Sequence, residues 1–543
     1  MSTPSLAQRL EQAISEIRVL SDIFQLPSIS FGLIHRGEIV LRESIGCRDL
    51  DQRLPANPDT IYPISSCSKM FTSAAMGILV DEGKITWQDR ISKHVPDFDP
   101  RGDCRIGAEA DIIDLLRHSI GLTDPSGFSV GPRGCHLVGS ASLVPLLNIM
   151  STANAEGQRF NRHWMYSNAN FSLAGEIIAR TAGCEFPEFI RSRILQPLGM
   201  NRTVLTKDDI TDANVTCQYT MLSDGTRRAL PTNHWPFDES KLEFPGCGMG
   251  SSLNDMLTWC ISVLDAEKQE SPRNPLKQMA RLRRGYWTRQ PQDPGTSNQA
   301  AFGMGWIRMT LPTSMAGAWS GNTRSRKAPH SLHLKKILGL ESEKRVMIGH
   351  TGGAIGGIAT VWTFPETQSA VCTMVNMRAL GDASDFAAQI LIQALFDLQP
   401  RVDLLPWARK EAELNRTSIV DGLLRPWTEN RQEDDEERSR LVYVGEYKWL
   451  EGLFTISIAV GDSGQLIVTF NNVEQTTCDM VCFKKDTYSL FTRDLDYWTA
   501  EWFPYRDYRE TLLEFELNSD RKVSGLWWLW DSEEERAWFQ RED

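Results

Sequence analysis

The stretch Ile61 to Gly83, IYPISSCSKMFTSAAMGILVDEG, predicts a helix that begins with a reactive serine. Ser66 and Lys69 form an S-x-x-K pattern in it, and apolar residues recur at helical spacing over positions 70–79. Residues three apart share one face of a helix, so the lysine amine can reach the serine hydroxyl. A serine hydroxyl is a poor nucleophile until a neighbouring group takes its proton. The stretch therefore predicts a serine nucleophile beside a lysine.

Two other interpretations of this pattern stay open at this point. An S-x-x-K arises by chance about once in a chain of this length, and a second copy, Ser519 to Lys522, lies in a polar segment that predicts a turn. Cys67 lies inside the first copy, and its thiol is an alternative nucleophile, although it points to another side of the helix. The assignment of Ser66 therefore depends on what the rest of the chain supplies.

The composition indicates a soluble protein of several domains. A chain of 543 residues is too long to fold around a single hydrophobic core, so two or three domains are expected. A hydrophobic content of 41% with 24% charged residues is ordinary for a globular protein, and a net charge of −12 disfavours nucleic acid as a partner. No apolar run is long enough to span a membrane, and the N-terminal segment lacks the apolar core of a signal peptide.

The cysteines and histidines indicate a cytoplasmic protein without a metal site. Eleven cysteines are scattered without a C-x-x-C pair, which is typical of reduced thiols in the cytoplasm. The nine histidines show no metal-ligand spacing. The glycine-rich runs at 246–250 and 352–357 match neither a phosphate loop nor a dinucleotide fingerprint. We therefore expect no metal and no cofactor.

The order of the predicted elements indicates one sheet built from both ends of residues 1–400. Residues 29–46 alternate around a glycine-containing turn and predict a hairpin in a central antiparallel sheet. The remaining predicted elements are helices with long loops over 84–277, a strand over 302–309, further strands after 345 and an apolar helix over 385–398. Strands from both ends can then share one sheet with helices packed against it.

The end of the chain has a different pattern. Residues 399–442 contain prolines and the acidic run 433–437, which predict a linker. Beyond it, short strands with a period of two predict a small all-β barrel, whose many tryptophans either fill its core or form a platform for a ligand. The predicted organisation is a first domain over 1–400, a linker over 401–440 and a barrel over 441–543.

Two further segments supply groups that an acyl-transfer site needs. Tyr166 and Asn168 lie where a loop meets a predicted helix. A tyrosine beside a lysine ammonium can act as a base, and the Asn168 amide can hold both a substrate carbonyl and the lysine. Taken alone, Tyr166 is more often a packing residue.

The second segment is His350-Thr351-Gly352-Gly353. Glycines at a strand edge let a substrate approach the backbone closely, although a plain glycine turn has the same sequence. The Gly353 amide can pair with the Ser66 amide to form an oxyanion hole. His350 and Thr351 are candidates to polarise the tyrosine or to bind a substrate carboxylate.

Together, S-x-x-K at 66–69, Y-x-N at 166–168 and H-T-G at 350–352 resemble the serine β-lactamase and penicillin-binding protein superfamily. The resemblance is closest to its class C-like branch, which contains β-lactamases, carboxypeptidases, esterases, D-amino-acid peptidases and acyltransferases. It covers roughly residues 10–398. The segment from about residue 440 is similar to the lipocalin-like barrel that some members carry.

The resemblance implies a fold and a set of roles. The fold is α/β, with a β-lactamase-like antiparallel sheet flanked by helices and a helical subdomain, followed by the small all-β barrel. Ser66 would become acylated, with Lys69 and Tyr166 sharing the proton transfers; which of the two is the base is disputed across the superfamily. Asn168 would contact the substrate amide, and the backbone of Ser66 and Gly353 would form the oxyanion hole.

Two departures from the family pattern narrow the expected activity. His350 stands where β-lactamases of this class have lysine, and residues 118–122 read H-S-I-G-L where many relatives have H-T-S-G-L. A neutral imidazole attracts a carboxylate less than an ammonium does, which favours an esterase, amidase or acyltransferase over a β-lactamase.

The sequence therefore predicts a serine hydrolase or acyltransferase that forms an acyl-enzyme on Ser66. We expect it to act in the cytoplasm on a small-molecule ester, thioester or amide of secondary metabolism, and to release the acyl group to water, an acceptor or a carrier. The alternative from another class is a non-catalytic binding protein that retains the fold.

Overall fold

The computed structural model describes residues 4–150, 160–230, 240–289, 300–314, 316–317, 319–320, 322, 337–354, 356–432, 439–490, 496, 507–531 and 534–542. The acidic run 433–437 lies outside these residues. Within the described ranges, no helix is long and apolar enough to cross a membrane. In the same ranges, no group of three or more His, Cys, Asp or Glu side chains is placed to hold a metal ion.

The first part of the chain contains a nine-stranded antiparallel sheet in the order β3-β2-β1-β13-β12-β11-β10-β9-β8, counted over the described residues. Two short pairs, β4 with β7 and β5 with β6, lie beside it. The strands are β1 (Ser28–His35), β2 (Glu38–Asp49), β3 (Leu54–Pro55), β4 (Ile61–Pro63), β5 (Tyr219–Met221), β6 (Arg227–Ala229), β7 (Gly250–Ser252), β8 (Trp287–Arg289), β9 (Ala300–Phe302), β10 (Ile307–Leu311), β11 (Arg345–Ala354), β12 (Gly357–Phe364) and β13 (Ser369–Val375).

The α-helices of the described residues are α1 (Leu6–Phe24), α2 (Ser68–Asp81), α3 (Ile91–His94), α4 (Cys104–Glu109), α5 (Ile112–Leu116), α6 (Ser126–Ser129), α7 (Leu143–Met150), α8 (Asn168–Ala182), α9 (Phe186–Ile190), α10 (Gln196–Leu198), α11 (Phe244–Cys247), α12 (Leu253–Lys268), α13 (Met279–Leu282), α14 (Ala383–Phe396), α15 (Leu405–Ile419) and α16 (Arg425–Asn430). A 3₁₀ turn, Ser65–Cys67, leads into α2.

Helices cover both faces of this sheet. Alternate residues of β13 enter two different cores: Val371 and Val375 pack with α1 and α14, while Cys372 and Met374 pack with α2, α8 and α12. Side chains of successive strand residues point to opposite faces, so the two cores lie on the two sides of the sheet. The predicted combination of an antiparallel sheet with flanking helices is therefore confirmed.

Local sequence signals account for the elements around the site. Arg36 and Gly37 both have positive φ, at 56° and 84°, and close the predicted hairpin between β1 and β2. Helix α12 begins at a side-chain cap, since the Ser252 hydroxyl accepts the Asp255 N–H at 3.2 Å. The single strand predicted over 302–309 is wrong. That segment contains β9, a turn and β10, because Gly305 adopts a φ of 80° that breaks the strand.

The end of the chain forms the predicted barrel. Its nine described strands have the order β17-β16-β15-β14-β22-β21-β20-β19-β18. The edge strands β17 and β18 follow each other in the chain, so the sheet curls until it is nearly closed. The strands are β14 (Gly445–Trp449), β15 (Phe454–Val460), β16 (Leu466–Phe470), β17 (Cys478–Asp479), β18 (Val481–Lys484), β19 (Thr487–Ser489), β20 (Leu512–Leu517), β21 (Val523–Trp528) and β22 (Ala537–Arg541).

Aromatic rings fill the barrel. Phe454, Trp528 and Phe539 are buried and contact one another with ring centroids 6.0–6.1 Å apart. Tyr443 and Phe515 form a second contact at 4.7 Å. For these buried rings the structure favours the core-filling interpretation over a ligand platform.

The segment predicted as a linker contains helices α15 and α16. Ala408 and Ala412 of α15 pack into the core that contains α1 and α14. Trp427 of α16 is buried, and its indole N–H donates to Ser489 Oγ of the barrel at 2.9 Å. The segment thus contacts both parts of the protein, while the limits of the domains remain a prediction.

Candidate active site

Ser66 lies at the turn that joins β4 to α2. Ser65 has a φ of 45°, a left-handed conformation that is uncommon outside glycine, and it turns the chain sharply into the 3₁₀ segment. Ser65 itself is buried, whereas Ser66 is partly exposed. The turn therefore leaves the Ser66 hydroxyl accessible at the start of a helix.

The Lys69 side chain is completely buried and reaches back to this serine. Its amine nitrogen lies 3.3 Å from Ser66 Oγ. It also donates to Asn168 Oδ1 at 2.6 Å and to the Gly246 carbonyl at 3.0 Å. Gly246 is not among the predicted site residues, because nothing in a glycine-rich turn shows which carbonyl a distant lysine will contact.

Tyr166 covers the lysine with the face of its ring. The Lys69 nitrogen lies 4.7 Å from the ring centroid, a cation–π distance. The ring also packs 4.5 Å from the imidazole of His118. Within the described residues the Tyr166 hydroxyl makes no hydrogen bond. Tyr166 therefore contacts the centre through its ring and not through a hydrogen bond of its hydroxyl.

The glycines of β11 lie against the serine turn. A Cβ atom added to Gly352 would lie 2.1 Å from the Ile64 carbonyl and 2.8 Å from the Ser66 nitrogen, so only glycine allows this approach. Among the described residues, a Cβ added to Gly353 would meet only Arg378, at 3.7 Å. Strand β11 therefore borders the Ser66 amide, as an oxyanion hole requires.

The other two residues of this motif differ in burial, with His350 buried and Thr351 partly exposed. His350 is 2% exposed, and its Nδ1 lies 2.6 Å from the Thr351 carbonyl, a contact that only a protonated Nδ1 can make as a donor. Burial, helped by the nearby Lys69 charge, lowers the pKa of His350 to about 3. The imidazole is therefore neutral at neutral pH, which disfavours the carboxylate-binding role considered for it. Thr351 Oγ1 donates to the Trp319 carbonyl at 2.8 Å.

Cys67 is placed differently from its neighbour. Its side chain is completely buried and its thiol lies 3.5 Å from the His350 carbonyl. Burial raises the pKa of this thiol. A buried, protonated thiol is a poor nucleophile, which disfavours the Cys67 alternative. The second S-x-x-K lies in the turn between β20 and β21, as predicted.

A polar network behind Asn168 was not foreseen. Asn168 Nδ2 donates to Ser126 Oγ at 3.2 Å, and Ser126 donates to Asp124 Oδ1 at 3.0 Å. Ser129 donates to Glu243, which is 4% exposed, and burial raises the pKa of both the Asp124 and the Glu243 carboxyl groups. The network fixes the Asn168 amide with its oxygen toward Lys69.

Aromatic side chains form the other wall of the site. The rings of Trp164, Phe302 and Trp319 lie 5.3–5.7 Å from one another. The Phe302 ring lies 6.2 Å from Tyr166 and 6.0 Å from His350. These residues come from three distant segments, so periodicity gave no sign that they would meet beside Ser66.

Comparison with protein families gives a match over most of the first domain. The family model described as Beta-lactamase matches residues 14–395, more than half of the 543-residue chain. The chain belongs to the beta-lactamase family. The family match supports the superfamily resemblance, while the finer assignment to the class C-like branch stays a prediction.

Curated relatives of this beta-lactamase family member align with only part of its sequence. The D-aminopeptidase of Brucella anthropi is 27% identical over 258 residues, which is 47% of this chain and 45% of that protein. A penicillin-binding protein of Bacillus subtilis is 27% identical over 168 residues, which is 31% of this chain and 35% of that protein. The chain thus spans less than half the length of these relatives.

A solved structure resembles this chain over nearly its whole length. The octameric penicillin-binding protein homologue from Pyrococcus abyssi superimposes with a TM-score of 0.56, covering 98% of this chain and 99% of that chain. The two sequences are 19% identical, so the likeness concerns the fold alone.

Proposed function

We propose that this member of the beta-lactamase family is a serine hydrolase or acyltransferase that forms an acyl-enzyme on Ser66. The observation that carries the proposal is the hydrogen bonding of Lys69. Two of its partners, Asn168 Oδ1 and the Gly246 carbonyl, can only accept hydrogen bonds. The third partner is the Ser66 hydroxyl at 3.3 Å, and together the three contacts hold the Lys69 nitrogen where it can take part in proton transfer from Ser66.

In the first step, Ser66 Oγ attacks the carbonyl carbon of an ester, thioester or amide. The hydroxyl proton passes to Lys69 or to Tyr166, and the carbonyl oxygen becomes an oxyanion held by the Ser66 and Gly353 amides. As the tetrahedral intermediate collapses, the bond to the leaving group breaks and that group takes the proton. The acyl group is then bonded to Ser66.

In the second step, water, an acceptor alcohol or amine, or a carrier attacks the acyl-enzyme. The base takes the proton of this nucleophile, and Ser66 leaves and regains its own proton. Whether the acyl group passes to water or to an acceptor decides between a hydrolase and an acyltransferase.

The substrate class follows from the charge beside the serine. The neutral His350 gives little attraction for the carboxylate that a β-lactam carries. The likeness to D-aminopeptidases supports an amide substrate, and the resemblance to esterases and acyltransferases of the class C-like branch supports an ester or thioester of secondary metabolism. All eleven cysteines are free thiols, which supports a cytoplasmic location. The barrel would be of the lipocalin-like kind.

The test is turnover of a panel of esters, thioesters and D-aminoacyl amides, with and without an acceptor alcohol or amine. Wild type should turn over at least one of them, and Ser66→Ala should lose that activity by a factor of about a thousand or more. Lys84→Met, which changes an exposed lysine close to the end of α2, is the control and should match wild type. Equal activity of wild type and Ser66→Ala would favour the non-catalytic binding protein.

A further inference from the structure

A small pocket with aromatic walls lies beside the catalytic centre. It encloses about 200 Å³ and is lined by Trp164, Trp287, Phe302 and Trp319. Phe302 is buried, whereas the three tryptophans are partly exposed. Phe302 therefore forms the floor, and the indole rings surround the mouth.

The pocket adjoins the residues that contact Ser66 and Lys69. Its Phe302 ring lies 6.2 Å from Tyr166, whose own ring covers the Lys69 amine at 4.7 Å. On the opposite side, the Trp319 carbonyl accepts a hydrogen bond from Thr351, next to the glycines that border the Ser66 amide. A group bonded to a carbonyl at Ser66 can thus extend directly into the pocket.

The charge of the surroundings limits what the pocket can hold. Among the described residues, the four side chains that line it are uncharged. The two imidazoles nearest to Phe302, His118 and His350, are buried and neutral, since burial lowers the pKa of both. Aromatic walls can also hold an ammonium group. Here, however, the positive charge of Lys69 lies beneath the neighbouring Tyr166 ring and disfavours a cation in the pocket.

The volume limits the size of the ligand. A cavity of about 150 Å³ holds a benzene molecule. A volume of about 200 Å³ therefore accommodates a phenyl ring or a branched alkyl group, but not a long fatty acyl chain. Rings on several sides allow offset or edge contacts with an aromatic ligand, which add to the benefit of burial.

We propose that this pocket binds the acyl side chain of the substrate and that the enzyme selects uncharged aromatic or branched apolar acyl groups. The proposal rests on the proposed acyl-enzyme at Ser66. The pocket then serves as the specificity site for the acyl half, and the leaving group lies outside it.

The test compares the trifluoroethyl esters of phenylacetate, acetate and trimethylglycine, which share one small leaving group. Wild type should show a kcat/KM for the phenylacetate ester at least about tenfold above the acetate ester. Trp287→Ala should lower the kcat/KM of the phenylacetate ester more than that of the acetate ester, so that most of this preference is lost. The control Trp527→Ala removes a partly exposed tryptophan on strand β21 of the barrel and should keep the preference.

Other outcomes separate this proposal from the proposed function. Equal rates for the acetate and phenylacetate esters, or a preference for the trimethylglycine ester, would overturn the aromatic pocket while Ser66 is still acylated. If no ester acylates Ser66, the proposed function fails, and the pocket is judged by equilibrium binding of 4-nitrobenzyl alcohol to Ser66→Ala. Binding that weakens about tenfold in Ser66→Ala with Trp287→Ala would support the pocket, and absent binding would overturn it.

Discussion

At the residue scale, the active site is built from titratable side chains that are buried and contact neutral groups. Lys69 is enclosed by two carbonyl groups, a hydroxyl and the Tyr166 ring. His118 and His350 lie in the same interior and are held neutral. Buried groups of this kind link proton binding to the stability of the fold.

Protonation of His350 gives the first prediction. Its pKa is about 3 in the folded protein and 6.5 when unfolded, so between these values only the unfolded chain binds the proton. The stabilisation is therefore complete above pH 6.5 and is lost as the pH falls toward 3. In urea unfolding between about pH 6 and pH 4, His350→Gln should lower the slope of the unfolding free energy against pH by up to about 1.4 kcal/mol per pH unit.

The control for this prediction is His163→Gln, which changes an exposed histidine and should leave the slope as in wild type. Parallel curves for wild type and His350→Gln would show that the imidazole titrates normally in the folded protein, and would contradict the neutral, buried state assigned to it.

At the scale of elements, the site is a junction between the Ser65–Cys67 turn and strand β11. The elements themselves could be predicted from the sequence. Helix α8 ends at Gly183, whose φ is 70°, and α2 is followed by Gly83 with the same φ, both signals that the sequence shows. Periodicity is local, so it locates helices and hairpins without knowledge of the fold.

The contacts between elements were less accessible to prediction. Helical spacing placed Lys69 beside Ser66, but only the resemblance to known proteins indicated that Asn168 joins them. Nothing local identified the Gly246 carbonyl or Asp124, because each acquires its role from packing across more than forty residues of chain. The turn at Gly305 was missed because apolar residues on both sides of it imitate one continuous strand.

Two neighbouring glycines give the second prediction. Gly352→Ala should push β11 away from the serine turn, because the new Cβ would overlap the Ile64 carbonyl at 2.1 Å. We expect acylation of Ser66 by a fluorophosphonate to slow about a hundredfold or more, since the oxyanion donors separate.

Gly353→Ala is the matched variant. Its Cβ has open space except for Arg378 at 3.7 Å, so the rate of acylation should stay close to wild type. A similar loss of acylation rate in both variants would indicate that the flexibility of glycine in general, rather than the close approach at Gly352, determines the rate of acylation.

At the scale of the whole molecule, the barrel supports the wall of the active site. The Phe128 ring of α6 is completely buried and lies 5.0–5.3 Å from the rings of Trp449, Phe454 and Trp530 in the barrel segment. The preceding residue Gly127 packs so closely that a Cβ would lie 2.8 Å from the Trp530 ring. Helix α6 also carries the serine that holds Asn168. The sequence showed a barrel but not this contact, which joins segments more than three hundred residues apart.

This contact gives the third prediction. Phe128→Ala should lower the unfolding free energy by about 3–5 kcal/mol, as other large-to-small changes of buried phenylalanine do. It should also slow acylation of Ser66, because α6 loses its anchor and Asn168 loses its fixed orientation.

Phe515→Ala is the control, since Phe515 packs in another part of the barrel against Tyr443 and Tyr447. It should destabilise the protein to a similar extent and leave the acylation rate unchanged. Unfolding in urea and single-turnover labelling together measure both effects. An unchanged acylation rate in Phe128→Ala would show that the barrel does not position the site.

The central claim, that Ser66 is the acylated nucleophile, is tested most directly by mass spectrometry after incubation with a fluorophosphonate. The account predicts a single adduct on the intact wild-type protein, mapped by peptide sequencing to Ser66, and no adduct on Ser66→Ala. An adduct at any other residue, or none on protein that turns over an ester, would contradict it.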